Sequence, residues 1–95
     1  MNLENLRARR DEILEIAKRY HAANVRVFGS VLRGEARADS DIDFLVTFQQ
    51  GASLLDQVGL MDDLKNVLGT KVDIVSDRAL NHYLKARILQ EARPL

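Results

Sequence analysis

Residues 41–48 read DIDFLVTF, a run that alternates strongly enough to demand a strand yet opens with two acids. Strand side chains point alternately to opposite faces, so Ile42, Phe44 and Val46 share one face and Asp41 and Asp43 the other. Such a segment belongs in a sheet that is buried on one side and reaches solvent or a ligand on the other. The Cα atoms of the two aspartates would stand ~6.6 Å apart. At that spacing both carboxylates can address one cation, and without one they repel. A D-x-D pair alone proves little, because a solvated strand edge also explains it.

Val72-Asp73-Ile74-Val75 repeats the theme, placing one carboxylate inside a second apolar run of β-formers. Alternation lets Asp73 simply face solvent. Three carboxylates on two strands would also suit one or two Mg²⁺ ions, which take oxygen ligands, keep several waters and complete their shell with substrate phosphates. Paired ions of this kind activate an attacking oxygen and stabilise a leaving one in phosphoryl chemistry.

Val25–Phe28 is a further short strand, and Gly29-Ser30 follows it directly. Glycine after a strand lets backbone approach a ligand closely, and a helix opening there offers unbonded N–H groups. Together these form a phosphate cradle. Ser30 fits either a phosphate ligand or a helix N-cap. Arg33 fits either a contact to triphosphate oxygens or a solvated charge. The chain carries no Walker A, G-x-G-x-x-G or H-E-x-x-H pattern. His21 and His82 lie outside any ligand spacing and read as surface or cap residues. Tyr83 reads as a packed aromatic, and Arg7, Arg9 and Arg10 as a solvated helix face.

Around these segments the periodicity predicts a helix over 2–22, with Leu3, Leu6, Ile13, Ile16, Ala17 and Tyr20 inward and Asn24 as its stop. Residues 30–33 open a short helix that Gly34 ends, and 35–40 form a loop. Ser53 to Asp56 is a capping-box pattern, followed by a helix with Leu54, Val58, Met61, Leu64 and Leu68 inward and Gly69 as its cap. Ser76 or Asp77 caps a last helix with Leu80, Tyr83, Leu84 and Ile88 inward, which frays before Pro94. The class is therefore α/β or α+β, a small mixed sheet of three to four strands flanked by helices.

Length and charge bound the function. The 95 residues make one domain, 1–95, with 46% hydrophobic and 29% charged residues, as expected of a folded protein. The 14 basic residues balance the 14 acidic ones, which argues against a dedicated nucleic-acid binder. There is no cysteine for disulfide or thiolate chemistry, and no apolar run spans a bilayer or makes a signal peptide. A cytoplasmic protein is expected.

Gly29-Ser30 with Arg33-Gly34, a short polar loop, then Ser40-Asp41-Ile42-Asp43 and Phe44-Leu45-Val46 resembles the signature G-S-x-x-R-G…S-D-x-D-[LF]-x-V of the DNA polymerase β-like nucleotidyltransferases. The length and the long first helix are similar to the minimal members, MntA-like antitoxins paired with HEPN ribonuclease toxins. The resemblance implies that Gly29 and Ser30 bind the nucleotide's phosphates and that Asp41 and Asp43 bind Mg²⁺. It also implies that Asp73 completes the metal site and helps deprotonate the acceptor. Arg33 and Ser40, at the signature's Arg and Ser positions, join the nucleotide-binding set. The implied reaction moves AMP from ATP to a hydroxyl, a tyrosine of the partner toxin, silencing its ribonuclease. The alternative is an antitoxin that blocks its partner by stoichiometric contact. No extra helical domain for holding small substrates is evident, so a partner protein is expected to complete the acceptor side. Leu32 departs from the small residue of the relatives and is expected to narrow the pocket.

Overall fold

The computed structural model describes residues 2–35, 41–79 and 82–95. The chain runs α1 (Leu3–Ala8), α2 (Arg10–Arg19), β1 (Ala22–Phe28), α3 (Ser30–Arg33), β2 (Ile42–Phe48), α4 (Leu54–Leu68), β3 (Val72–Ser76), α5 (His82–Glu91) and β4 (Arg93–Pro94). Its strands form one mixed sheet in the order β3-β2-β1-β4. β1 pairs antiparallel with both β2 and β4, while β2 and β3 are parallel. Helix α4 supplies the crossover that a parallel pair requires. The expected mixed sheet flanked by helices is the fold observed.

Alternation along β2 divides the sheet into two unlike faces. Ile42, Phe44 and Val46 are at most 1% exposed and meet Val27 of β1, Val72 and Ile74 of β3, and the inner stripes of the helices. Those stripes are Ile13, Ile16 and Ala17 of α2 and Leu60, Leu64 and Leu68 of α4, with Leu6 of α1 beside them. The other face carries Asp43, Leu45 and Thr47. Leu45 is fully buried there, so the carboxylate face is not simply solvent.

Several local expectations are corrected. The predicted helix over 2–22 is two helices broken at Arg9, whose backbone (φ −108°, ψ 19°) leaves the helical region. Arg9 is not a solvated charge: its Nη1 donates to Val67 C=O at 2.7 Å, at the C-terminal turn of α4, where a cation meets unsatisfied carbonyls. Arg7 likewise reaches Pro94 C=O at 3.3 Å. Asn24 does not stop the helix. It sits inside β1 with φ 55°, where the register slips between Ala23 and Arg26, and the helix has already ended at Tyr20.

Helix α4 is rotated from the expected face. Leu54 is 74% exposed and Val58 is exposed too, while Gln57 takes the inward slot and donates to Ile74 C=O at 2.9 Å. β3 is an edge strand, and satisfying its outer carbonyl outweighs burying one more aliphatic group. The helix can approach because Gly59 faces the Tyr20 ring, whose hydroxyl donates to Asp63 at 2.6 Å.

The last helix also differs. It begins at His82 rather than after Ser76 or Asp77, since Ser76 is a buried strand residue and 77–79 form a turn. Tyr83 and Leu84 are exposed rather than packed inward. Leu80 and the His82 side chain lie outside the described residues. Past α5 the chain does not merely fray, because Arg93–Pro94 adds a short edge strand to β1. Leu32 is partly buried and packs against the hydrophobic core.

Candidate active site

Asp43 and Asp73 are direct register partners across the parallel β2–β3 ladder. Neighbouring strands lie ~4.8 Å apart, so the two carboxylates rise side by side from one face. Asp41 is exposed and stands one residue before β2, so it is a loop-end residue rather than the strand residue expected. Its charge nevertheless reaches Asp43.

Gly29 closes the site from the β1 side. Phe28, the last residue of β1, is the register partner of Asp43, and the chain turns away immediately after it. Gly29 holds φ 79° and ψ −154°, a region that a side chain disfavours strongly. A Cβ there would overlap Asp43 Oδ2 and lie only 3.1 Å from its Cγ. The missing side chain is therefore the space that the Asp43 carboxylate uses.

Ser30 is the first residue of α3, and Gly29 occupies the cap position without any side-chain bond. The N-cap role is thereby removed for Ser30. Arg33 N–H donates the first helical bond, to Gly29 C=O at 3.2 Å, so the N–H groups of residues 30–32 precede the helix's own ladder. Arg33 is not simply solvated. Its Nε donates to Glu35 at 3.2 Å and its Nη1 to Glu91, which raises the guanidinium pKa further. Ser40 lies outside the described residues.

The electrostatics of the cluster are lopsided. Burial first, then the charges of Asp73 and Asp41, together push the Asp43 carboxyl up to about 6 against the opposing charge of Arg33. Glu91, on the far side of Arg33, adds to the negative field. No sequence signal marked Glu91, because only the fold carries the end of α5 to this place.

This donor set fits a hard divalent cation. It offers carboxylate oxygens that repel one another, and one of them, Asp43, resists ionisation because of burial and the acids beside it. Among the described residues no group of three His, Asp or Glu side chains already closes into a metal cluster. Magnesium does not require one, since it uses one or two carboxylates and takes its remaining ligands from water and phosphate. Asp43 and Asp73 are the residues able to hold such an ion, with Asp41 at the rim.

Residues 10–95 match the family model described as a nucleotidyltransferase domain. A protein of Methanocaldococcus jannaschii, assigned as a protein adenylyltransferase, is 40% identical over 92 residues, covering 97% of this chain and 96% of that one. The protein adenylyltransferase MntA of Thermococcus cleftensis is 39% identical over 77 residues, covering 81% and 78%. A solved structure assigned as a minimal nucleotidyltransferase superposes with a TM-score of 0.90 and 54% identity over 100% of this chain and 97% of that one. Two toxin–antitoxin complexes share the fold at low identity. One is a complex with AMP-PNP (TM-score 0.76, 21% identical, covering 88% and 69%). The other joins a tri-AMPylated HEPN toxin of Shewanella oneidensis to its MNT antitoxin (TM-score 0.70, 18% identical, covering 93% and 69%).

Proposed function

The chain belongs to the nucleotidyltransferase domain family, and on that footing we propose that it is an antitoxin that moves AMP from ATP to a tyrosine hydroxyl of a HEPN-type toxin. One observation carries the reading: Asp43 and Asp73 stand in register on one face, against a glycine turn that opens α3. The names of the adenylyltransferase relatives and the AMPylated HEPN complex support the substrate and the partner.

In this reading Gly29, Ser30 and the first turn of α3 receive the phosphates through backbone N–H groups and the Ser30 hydroxyl. Arg33 adds a cationic contact, and Ser40 is assigned to the same nucleotide. Asp41, Asp43 and Asp73 would hold Mg²⁺, which when bound supplies charge neutralisation for the phosphates. The acceptor oxygen attacks the α-phosphorus in line, a new O–P bond forms, and the bond to the β-phosphate oxygen breaks as pyrophosphate leaves. Asp73, exposed on β3, helps take the hydroxyl proton. Among the described residues no helix is long and apolar enough to cross a membrane, and the expected setting is the cytoplasm beside the toxin.

Intact-mass measurement of the co-expressed toxin tests the proposal. The toxin should gain AMP mass with the wild-type chain and none with Asp43→Asn, and peptide mapping should locate the adduct on tyrosine. Full neutralisation by Asp43→Asn at equal dose, with no mass gain, would instead make the chain a stoichiometric blocker.

A further inference from the structure

Glu91, the last residue of α5, has no part in the reaction as described. Its carboxylate accepts from Arg33 Nη1 while Glu35 accepts from Nε. Among the described residues nothing accepts from Arg33 Nη2. Glu91 is itself anchored, because Ala92 behind it is buried and donates to Ile88 C=O at 2.7 Å. Arg93 and Pro94 then pair with Val27 and Arg26 of β1. The same strand thus ends in the Gly29 turn and braces the residue that grips Arg33. Arg33 and Glu91 line an open pocket of about 440 Å³ with Arg87 and Gln90.

We propose that Glu91 is a positioning residue: with Glu35 it holds the Arg33 guanidinium by two of its three nitrogens, leaving Nη2 for a phosphate oxygen of the nucleotide. The nature of that ligand rests on the nucleotidyl-transfer reading; the clamp rests on the ion pairs. The Arg33 side chain is 49% exposed and would otherwise sample many rotamers. A long side chain that is free in the apo state must be ordered on binding, and one already clamped has less freedom left to lose. An arginine can serve both partners because its planar fork carries five donors.

ATP binding in the presence of Mg²⁺ is measured by titration calorimetry, alongside transfer to the toxin. The set comprises wild type, Glu91→Ala, Glu91→Gln, Arg33→Ala and the Arg33→Ala/Glu91→Ala double variant. Glu91→Ala should raise the Kd for ATP about fivefold, the size expected when one flexible side chain must be ordered. The kinetic loss should fall on KM rather than kcat. Glu91→Gln, which keeps an acceptor oxygen, should recover most of the affinity. In the Arg33→Ala background the Glu91→Ala change should add nothing. An unchanged or tighter Kd in Glu91→Ala, or an equal loss when Arg33 is absent, overturns the clamp. ATP binding without transfer in the wild type would instead sink the transfer reading and leave the clamp standing.

Discussion

Asp43 and Asp77 lie at opposite ends of the carboxylate side of the sheet, and their surroundings drive them in opposite directions. Burial pushes Asp77 up, but a hydrogen bond from the Thr47 hydroxyl and an ion pair with Arg26 at 3.2 Å outweigh it and hold the group below the usual range. Burial also pushes Asp43 up, and its nearest acids push it further, to about 6. One carboxylate is satisfied by its own fold, and only its Oδ1 lacks a partner. The other is left short of positive charge. A buried acid with a cation and a hydroxyl stabilises a structure; a half-buried acid among acids awaits a ligand.

The sharpest way to break this contrast is Asp43→Asn. Transfer should fall by about 10²–10³-fold, the usual cost of losing one charge-stabilising group at a reacting centre. The same variant should be more stable than wild type at pH 7, by roughly 1–2 kcal/mol once solvent screening of a partly buried group is allowed for. The sign follows from proton binding. The folded state holds the Asp43 proton more tightly than the unfolded chain, so wild-type stability falls as pH rises from the ordinary carboxylate range through about 6. Denaturant melts across that window should show the slope in wild type and a flatter line in Asp43→Asn. A variant no more stable than wild type would contradict the electrostatic account.

Gly29→Ala tests the same cluster through sterics alone. The new methyl meets Asp43 Oδ2 and forces a positive φ on alanine, so the variant should lose about 1–3 kcal/mol and most of its transfer activity. A folded, active Gly29→Ala protein would show that the carboxylate does not need that space.

Asp77→Asn probes the other end. Removing the charge leaves Arg26, 14% exposed, facing a neutral amide, at a cost of roughly 1–3 kcal/mol with little change in transfer. Here the pH dependence reverses. The depressed group contributes stability above its unfolded pKa and loses it as the pH falls through the acid range, so the variant should be less sensitive to acid than wild type. Equal acid slopes for the two proteins would remove Asp77 from the argument.

The smallest expected effect is the most specific. Millimolar Mg²⁺ should raise the melting temperature of the wild type by about 4 °C and leave Asp43→Asn unmoved, since only a native-state site is stabilised by its ligand. A shift in both proteins would point to binding elsewhere.

Much of this arrangement was legible in the chain because strands announce themselves by a period of two. The alternation at 42–48 and 72–76 marked Asp43 and Asp73 as acids carried on apolar strands, and Gly29 stood out as a residue that a turn or close approach requires, while the register that pairs the two acids came only from the fold. Helix faces were read less well. Leu54 and Val58 look inward by spacing, but a polar bond from Gln57 to an edge strand sets the rotation of α4. Tyr83 and Leu84 have core chemistry, but whether a helix face is covered depends on what lies beyond it. The tertiary role of Arg9 was invisible because the carbonyl it meets, on α4, is 58 residues away.

By itself the sequence determined the family, the mixed architecture, and the strands that carry Asp43 and Asp73, because those depend on local period and local turn chemistry. Only the tertiary structure decided that Asp43 is half-buried among other acids. It also decided that Arg33 is held by Glu91, and that Asp77 is satisfied by Thr47 and Arg26. Electrostatic balance is a sum over distances in space, and the distances that matter here join residues up to 58 positions apart in the chain.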